Sequence, residues 1–182
     1  FSFFEGKPAR PHHIAANLPA ERPRWQQEIT DSIKDFDVTI IKSASGQGKS
    51  TLAWKTAQQM MNRAGFSVFE LQELRREGIQ DVVRFLESRL KCGYLPLIII
   101  DGLNEQVRDW SDLAIRAQKL QGVKFLVTTR EEDWFRYGTN VARLNLKPIN
   151  IDLSEEEARQ IFHLFQKSGH LHTSLNTWQP AW

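Results

Sequence analysis

From Val38 onward the apolar positions of this chain alternate between two rhythms: short unbroken runs, and stripes spaced three and four residues apart. The runs Val38–Lys42, Ser67–Leu71, Leu95–Ile100, Lys124–Thr128 and Val141–Leu146 have strand length. The stripes between them predict helices. Lys49–Ala64 places Leu52, Ala53, Ala57, Met60, Met61 and Ala64 on one face, and Gly65 stands where a C-terminal cap belongs. Ile79–Lys91 carries Ile79, Val82, Val83, Leu86 and Leu90 as its stripe, and Ser111–Leu120 forms a further helix. Strands alternating with helices predict an α/β fold: a parallel sheet flanked by helices, with right-handed crossovers. Leu95–Ile100 is apolar throughout, as expected of a strand covered on both faces.

The ends of the chain follow different patterns. Residues 1–24 hold Pro8, Pro11, Pro19 and Pro23 between short apolar pieces and read as an extended lead-in segment. Trp25, Ile29 and Ile33 then give helical spacing up to Phe36, just before the first strand. After the sheet, Ser154 and Glu157 form a capping box ahead of a helix with Ala158, Ile161, Phe162 and Phe165 on one face. The expected division is a lead-in (1–24), a core (25–150) and the truncated start of a helical subdomain (151–182). A start at Phe1 and an end at Pro180-Ala181-Trp182 suggest a piece of a longer protein.

Composition narrows the class. With 24 Lys plus Arg against 22 Asp plus Glu, the net charge of +2 selects neither nucleic acid nor a membrane surface. No apolar run approaches membrane-spanning length. The single cysteine, Cys92, cannot form an internal disulfide, and the expected compartment is the cytoplasm. Lying between a helix and Gly93, Cys92 is expected to pack rather than react. Trp54, Trp110 and Trp134 fall where helices meet sheet and are expected in the core. His163, His170 and His172 lack the companions a zinc site needs.

The chemistry is concentrated in residues 43–51, Ser43-Ala44-Ser45-Gly46-Gln47-Gly48-Lys49-Ser50-Thr51, which link the first strand to the next helix. Gly46 and Gly48 allow the backbone to approach phosphates and turn its N–H groups inward, and the helix start adds a positive dipole end. Lys49 is expected to reach the β- and γ-phosphates, Ser50 to coordinate Mg²⁺ and Thr51 to lie near the α-phosphate. One departure stands out: this loop pattern usually opens with glycine, and here Ser43 occupies that place. Asp101 ends a buried strand and is expected to hold Mg²⁺ opposite Ser50, with capping of the next turn as the competing reading. Glu105 is the nearest carboxylate able to activate a water, or else a surface ion-pair partner. Arg130 follows another strand end, where a cation can touch the γ-phosphate; an ordinary surface arginine is the alternative.

These strings together, Gly46–Thr51, Asp101-Gly102-Leu103-Asn104-Glu105 and Thr128-Thr129-Arg130, resemble the STAND signal-transduction NTPases, specifically the NACHT-like branch and bacterial antiphage STAND proteins. Phe3–Pro8, Ile14 and Arg22–Trp25 are similar to the segment preceding the ATPase core there. The resemblance implies ATP or ADP with Mg²⁺, slow hydrolysis, and a switch that controls self-association of a larger signalling protein. It also implies an adenine held between lead-in and core, with Phe3 or Phe4 stacking on it. Asn104 replaces the middle carboxylate of the NACHT string, which weakens the expectation of efficient turnover. No Asn-Lys-x-Asp string occurs, which favours adenine over guanine. The alternatives are an AAA+-type mechanical or DNA-associated ATPase and a module that keeps nucleotide as a brace.

Overall fold

The computed structural model describes residues 9–16 and 18–167. Its five strands form one wholly parallel sheet: β1 (Val38–Lys42), β2 (Phe66–Glu70), β3 (Leu95–Asp101), β4 (Lys124–Thr129) and β5 (Leu146–Asn150). Their spatial order is β2-β3-β4-β1-β5. The helices are α1 (Pro11–Ala15), α2 (Pro23–Asp35), α3 (Lys49–Ala64), α4 (Ile79–Lys91), α5 (Trp110–Gln118), α6 (Glu131–Tyr137) and α7 (Glu155–Lys167).

Alternate side chains of the central strands serve two cores. Ile41, Leu97, Ile99, Leu126 and Ile149 meet Ile29 and Ile33 of α2 and Leu52, Ala53, Ala57 and Met60 of α3. Val38, Ile40, Ile98, Ile100, Phe125 and Val127 meet Ile79 and Leu86 of α4 and Leu113, Ala114 and Ala117 of α5. Burial on both sides explains why β3 and β4 read as continuous apolar runs. Under α2 the buried Ser32 and Thr39 hydroxyls satisfy each other, hydrogen-bonding at 2.8 Å. α3 ends as its sequence predicts, with Gly65 in the left-handed region at φ 71°.

The lead-in departs from expectation. Among its described residues, Pro11–Ala15 form α1 rather than running extended, and Ala9, His13 and Ile14 are buried. Its prolines open helices instead of excluding them: Pro11 starts α1 and Pro23 starts α2, positions where a missing N–H costs nothing. The last strand is also displaced. Val141–Arg143 is a 3₁₀ turn, and Leu146–Asn150 pairs with β1 instead. Pro148 hid this strand, yet β5 lies at the sheet edge, where proline is tolerated.

α6 was not foreseen; it is short and buries no residue. Met61 lies half out of the face expected to bury it, at 50% exposure. Cys92, expected to pack, is exposed as the C-cap of α4, in the turn ahead of β3. Trp54 and Trp110 are buried, and Trp134 packs half-buried against the core. The capping box is present, with Ser154 N–H donating to Glu157 at 3.0 Å and Glu157 N–H to the Ser154 hydroxyl at 3.2 Å. Phe3, Phe4, His170 and His172 lie outside the described residues.

Candidate functional site

All five strands point the same way, so the loops that follow β1, β3 and β4 converge at one rim of the sheet. β4 lies between β1 and β3, which brings Arg130, the residue after its end, between the glycine loop and Asp101. A cleft of about 620 Å³ opens there, lined by Ser45, Gly46, Gly48, Lys49, Ser50, Thr51, Asp101, Asn104, Thr129 and Arg130.

The glycine loop needs two left-handed residues, Gly46 at φ 81° and Gly48 at φ 80°. Ser43 is not among the positive-φ residues, so a side chain costs nothing where the usual pattern has glycine. Gly48 is the N-cap of α3, and the helix begins at Lys49. The Lys49 ammonium donates to the Ser43 carbonyl at 2.9 Å and the Ala44 carbonyl at 2.7 Å. Burial and the neighbouring Arg130 push the Lys49 pKa below the usual lysine value, against the pull of Asp101, Glu132 and Asp133.

Asp101 is fixed at both oxygens. The Thr128 hydroxyl donates to Oδ1 at 2.8 Å, and the Trp54 indole N–H donates to Oδ2 at 3.4 Å. Past it the backbone reverses at Gly102, φ 97°, and buried Leu103 anchors its N–H on the Thr128 carbonyl at 3.2 Å. Asn104 braces the following turn: its Oδ1 accepts from Gln106 N–H at 2.8 Å and its Nδ2 donates to the Gly102 carbonyl at 3.1 Å. Glu105, the expected water-activating carboxylate, is turned away. It accepts from Arg108 at 2.7 Å, with its side chain 66% exposed, and does not line the cleft. The structure thus brings Lys49, Ser50, Asp101 and Arg130 together and leaves Glu105 out. Ser50 and Asp101 fit a Mg²⁺ carried in on phosphates, since that ion takes few protein ligands and keeps waters.

Beside the cleft, on the far side of the loop, lies an apolar recess of about 160 Å³. Leu18, Pro19 and Ala20 form one wall, Leu153, Ile161, Leu164 and Phe165 the other, and Gln47 and Thr51 the floor. Two buried cations hold these walls: Lys55, which sequence reasoning missed, and Arg22, named there only within the lead-in resemblance. Arg22, 4% exposed, donates to the Gln47 carbonyl at 2.8 Å, to the Asp152 carbonyl, and to both Glu157 oxygens at 2.8 and 3.1 Å. A Cβ on Gly48 would lie 3.4 Å from its guanidinium. Lys55 of α3, also 4% exposed, donates to the Pro19 carbonyl at 2.9 Å and pairs with Glu21. The available signal was a polar Lys55 on an otherwise apolar helix turn, and an arginine directly before the proline that opens α2.

Partial burial pushes the Glu157 pKa up, but hydrogen bonds from Arg22 and Ser154 outweigh it and hold the carboxyl below its usual value. None of the helices among the described residues is long and apolar enough to cross a membrane.

The architecture is that of the P-loop NTPases. It is similar to a STAND protein with a tetratricopeptide repeat sensor from Pyrococcus horikoshii, at 18% identity and TM-score 0.53, over 82% of this chain and 26% of that one. It is equally similar to a DNA replication initiation factor, at 16% identity and TM-score 0.53, over 93% of this chain and 55% of that one. PCH-2 of C. elegans follows at 16% identity and TM-score 0.51, over 90% of this chain and 49% of that one. The chain thus spans about a quarter of the STAND protein's length. No protein-family model and no curated protein sequence matches it.

Proposed function

We propose that this chain is the nucleotide-binding core of a STAND-type regulatory ATPase, a switch that binds ATP or ADP with Mg²⁺ and hydrolyses ATP slowly. The observation that carries this reading is the convergence of Lys49, Ser50, Asp101 and Arg130 on one cleft at the sheet rim. Loop amides and Lys49 would grip the β- and γ-phosphates, Ser50 and Asp101 would hold Mg²⁺, and Thr51 would sit near the α-phosphate. Bound there, Mg²⁺ would neutralise charge on the phosphates. The adjoining recess is apolar and reaches Thr51, which suits a purine base.

The cleft wall supports slow turnover. Asn104 stands there with both side-chain ends committed to the backbone, and it cannot take a proton from water. Glu105 is held by Arg108. Arg130, free of ion pairs among the described residues, would report whether a γ-phosphate is present. That differential contact is what a two-state switch needs. Control of self-association in a larger signalling protein, with antiviral defence as one setting, is the role this reading assigns.

The test is calorimetry with ATP, ADP and GTP in the presence of Mg²⁺. Adenine nucleotides should bind, and Lys49→Ala should weaken them at least ~100-fold, as loss of a charge-assisted contact to the phosphates implies. Binding that survives Lys49→Ala unchanged would remove the assignment. A second reading, a mechanical or DNA-associated ATPase of AAA+ type, is favoured by the equal likeness to a DNA replication initiation factor. Fast phosphate release stimulated by DNA would select it.

A further inference from the structure

Trp54 has two ends with different surroundings. Its ring is buried at 6% exposure in the core that α3 shares with the sheet, whereas its indole N–H emerges at the rim and donates to Asp101 Oδ2 at 3.4 Å. The opposite oxygen, Oδ1, takes the Thr128 hydroxyl at 2.8 Å, and Thr128 is itself 1% exposed. One donor comes from α3 and the other from β4. With a donor on each oxygen, from two elements, both the position and the rotation of the carboxylate are set.

Ser50 and Trp54 are four residues apart in α3, which puts them on one helix face a single turn apart. The helix that presents the Ser50 hydroxyl to the cleft therefore also measures where Asp101 stands. We propose that Trp54 is a positioning residue for the metal site: its indole N–H sets the Asp101 carboxylate at the separation from Ser50 that a nucleotide-borne Mg²⁺ requires. This rests on the nucleotide reading above. Packing alone would be served by any large ring. Orientation requires the N–H, the group that faces Oδ2.

The contrast is between wild type and Trp54→Phe, which keeps the ring and deletes the donor. ATP affinity is measured by calorimetry in EDTA and across a Mg²⁺ titration, each also in an Asp101→Asn background. The expected result is a rise of about 10-fold in the Mg²⁺ concentration needed for half its effect, at the low end for an outer-layer hydrogen bond. The same substitution added to Asp101→Asn should produce no further change. An equal effect in both backgrounds, or none in either, overturns the proposal.

Wild type that binds no nucleotide under any condition overturns the nucleotide reading instead, so the two failures are distinct. Should Trp54→Phe not fold, indole ¹⁵N–¹H spectra of the folded Asp101→Asn protein decide. Of the six tryptophan resonances, the one from the rim must move when the carboxylate becomes an amide. Spectra with no moved indole overturn the assignment.

Discussion

Arg22→Ala tests whether the lead-in, the glycine loop and α7 are one mechanical unit. The substitution deletes four hydrogen bonds, two to Glu157 and one each to the Gln47 and Asp152 carbonyls. Breaking a buried ion pair by removing one partner costs about 3–5 kcal/mol. Glu157 keeps 18% of its side-chain surface in solvent, so water recovers part of that, leaving about 2–3 kcal/mol. At roughly 2–4 °C per kcal/mol for a chain of this size, Tm should fall by about 5–10 °C. Glu157→Gln keeps the shape and an acceptor and should cost only about 1 kcal/mol.

The pH dependence supplies an independent reading. Glu157 has a depressed pKa in the folded chain, so its contribution is complete above the unfolded value, 4.5 for a free glutamate, and is lost as pH falls through the folded value. Thermal melts of wild type and Arg22→Ala between about pH 7 and pH 3 should therefore converge toward the acid end. A Tm loss under about 1 °C, or parallel curves across that range, would refute the view that Arg22 and Glu157 clamp the loop.

Three further outcomes can be checked at the cleft. Arg130→Ala should bring ATP and ADP affinities to within about threefold of each other, as measured by competition binding, because it removes the cation that reads the γ-phosphate. Ser43→Gly should not stabilise the protein and should lower it by up to about 1 kcal/mol in urea unfolding, since Ser43 needs no left-handed backbone and glycine adds unfolded-state entropy. Gly48→Ala should destabilise by about 1–2 kcal/mol, because φ 80° strains an L residue.

Much of this architecture could be read from the amino acids because local and long-range preferences agree there. β1, the glycine loop and α3 occupy their expected residues: an apolar run, two glycines and a helical stripe each specify their own conformation. Asp101 was legible for a similar reason, since a carboxylate ending a two-sided apolar strand has one rim to point into. What escaped depends on partners distant in sequence. β5 contains Lys147 and Pro148, and its identity comes from pairing with β1. α1 has too few residues for a stripe and exists by docking on α3. Glu105 is the nearest carboxylate along the chain, but Arg108 three residues on captures it. Arg22 reaches Glu157 across 135 residues, a pairing that no window of sequence could reveal.

Lys55 gives the recess wall a mechanical character. Its ammonium, on α3 about 1.7 turns beyond Lys49, is buried, hydrogen-bonded to the main chain at Pro19 and ion-paired with Glu21. Tension on the segment ahead of Pro19 would therefore bear directly on the helix that carries the phosphate-gripping lysine, with little slack to absorb it.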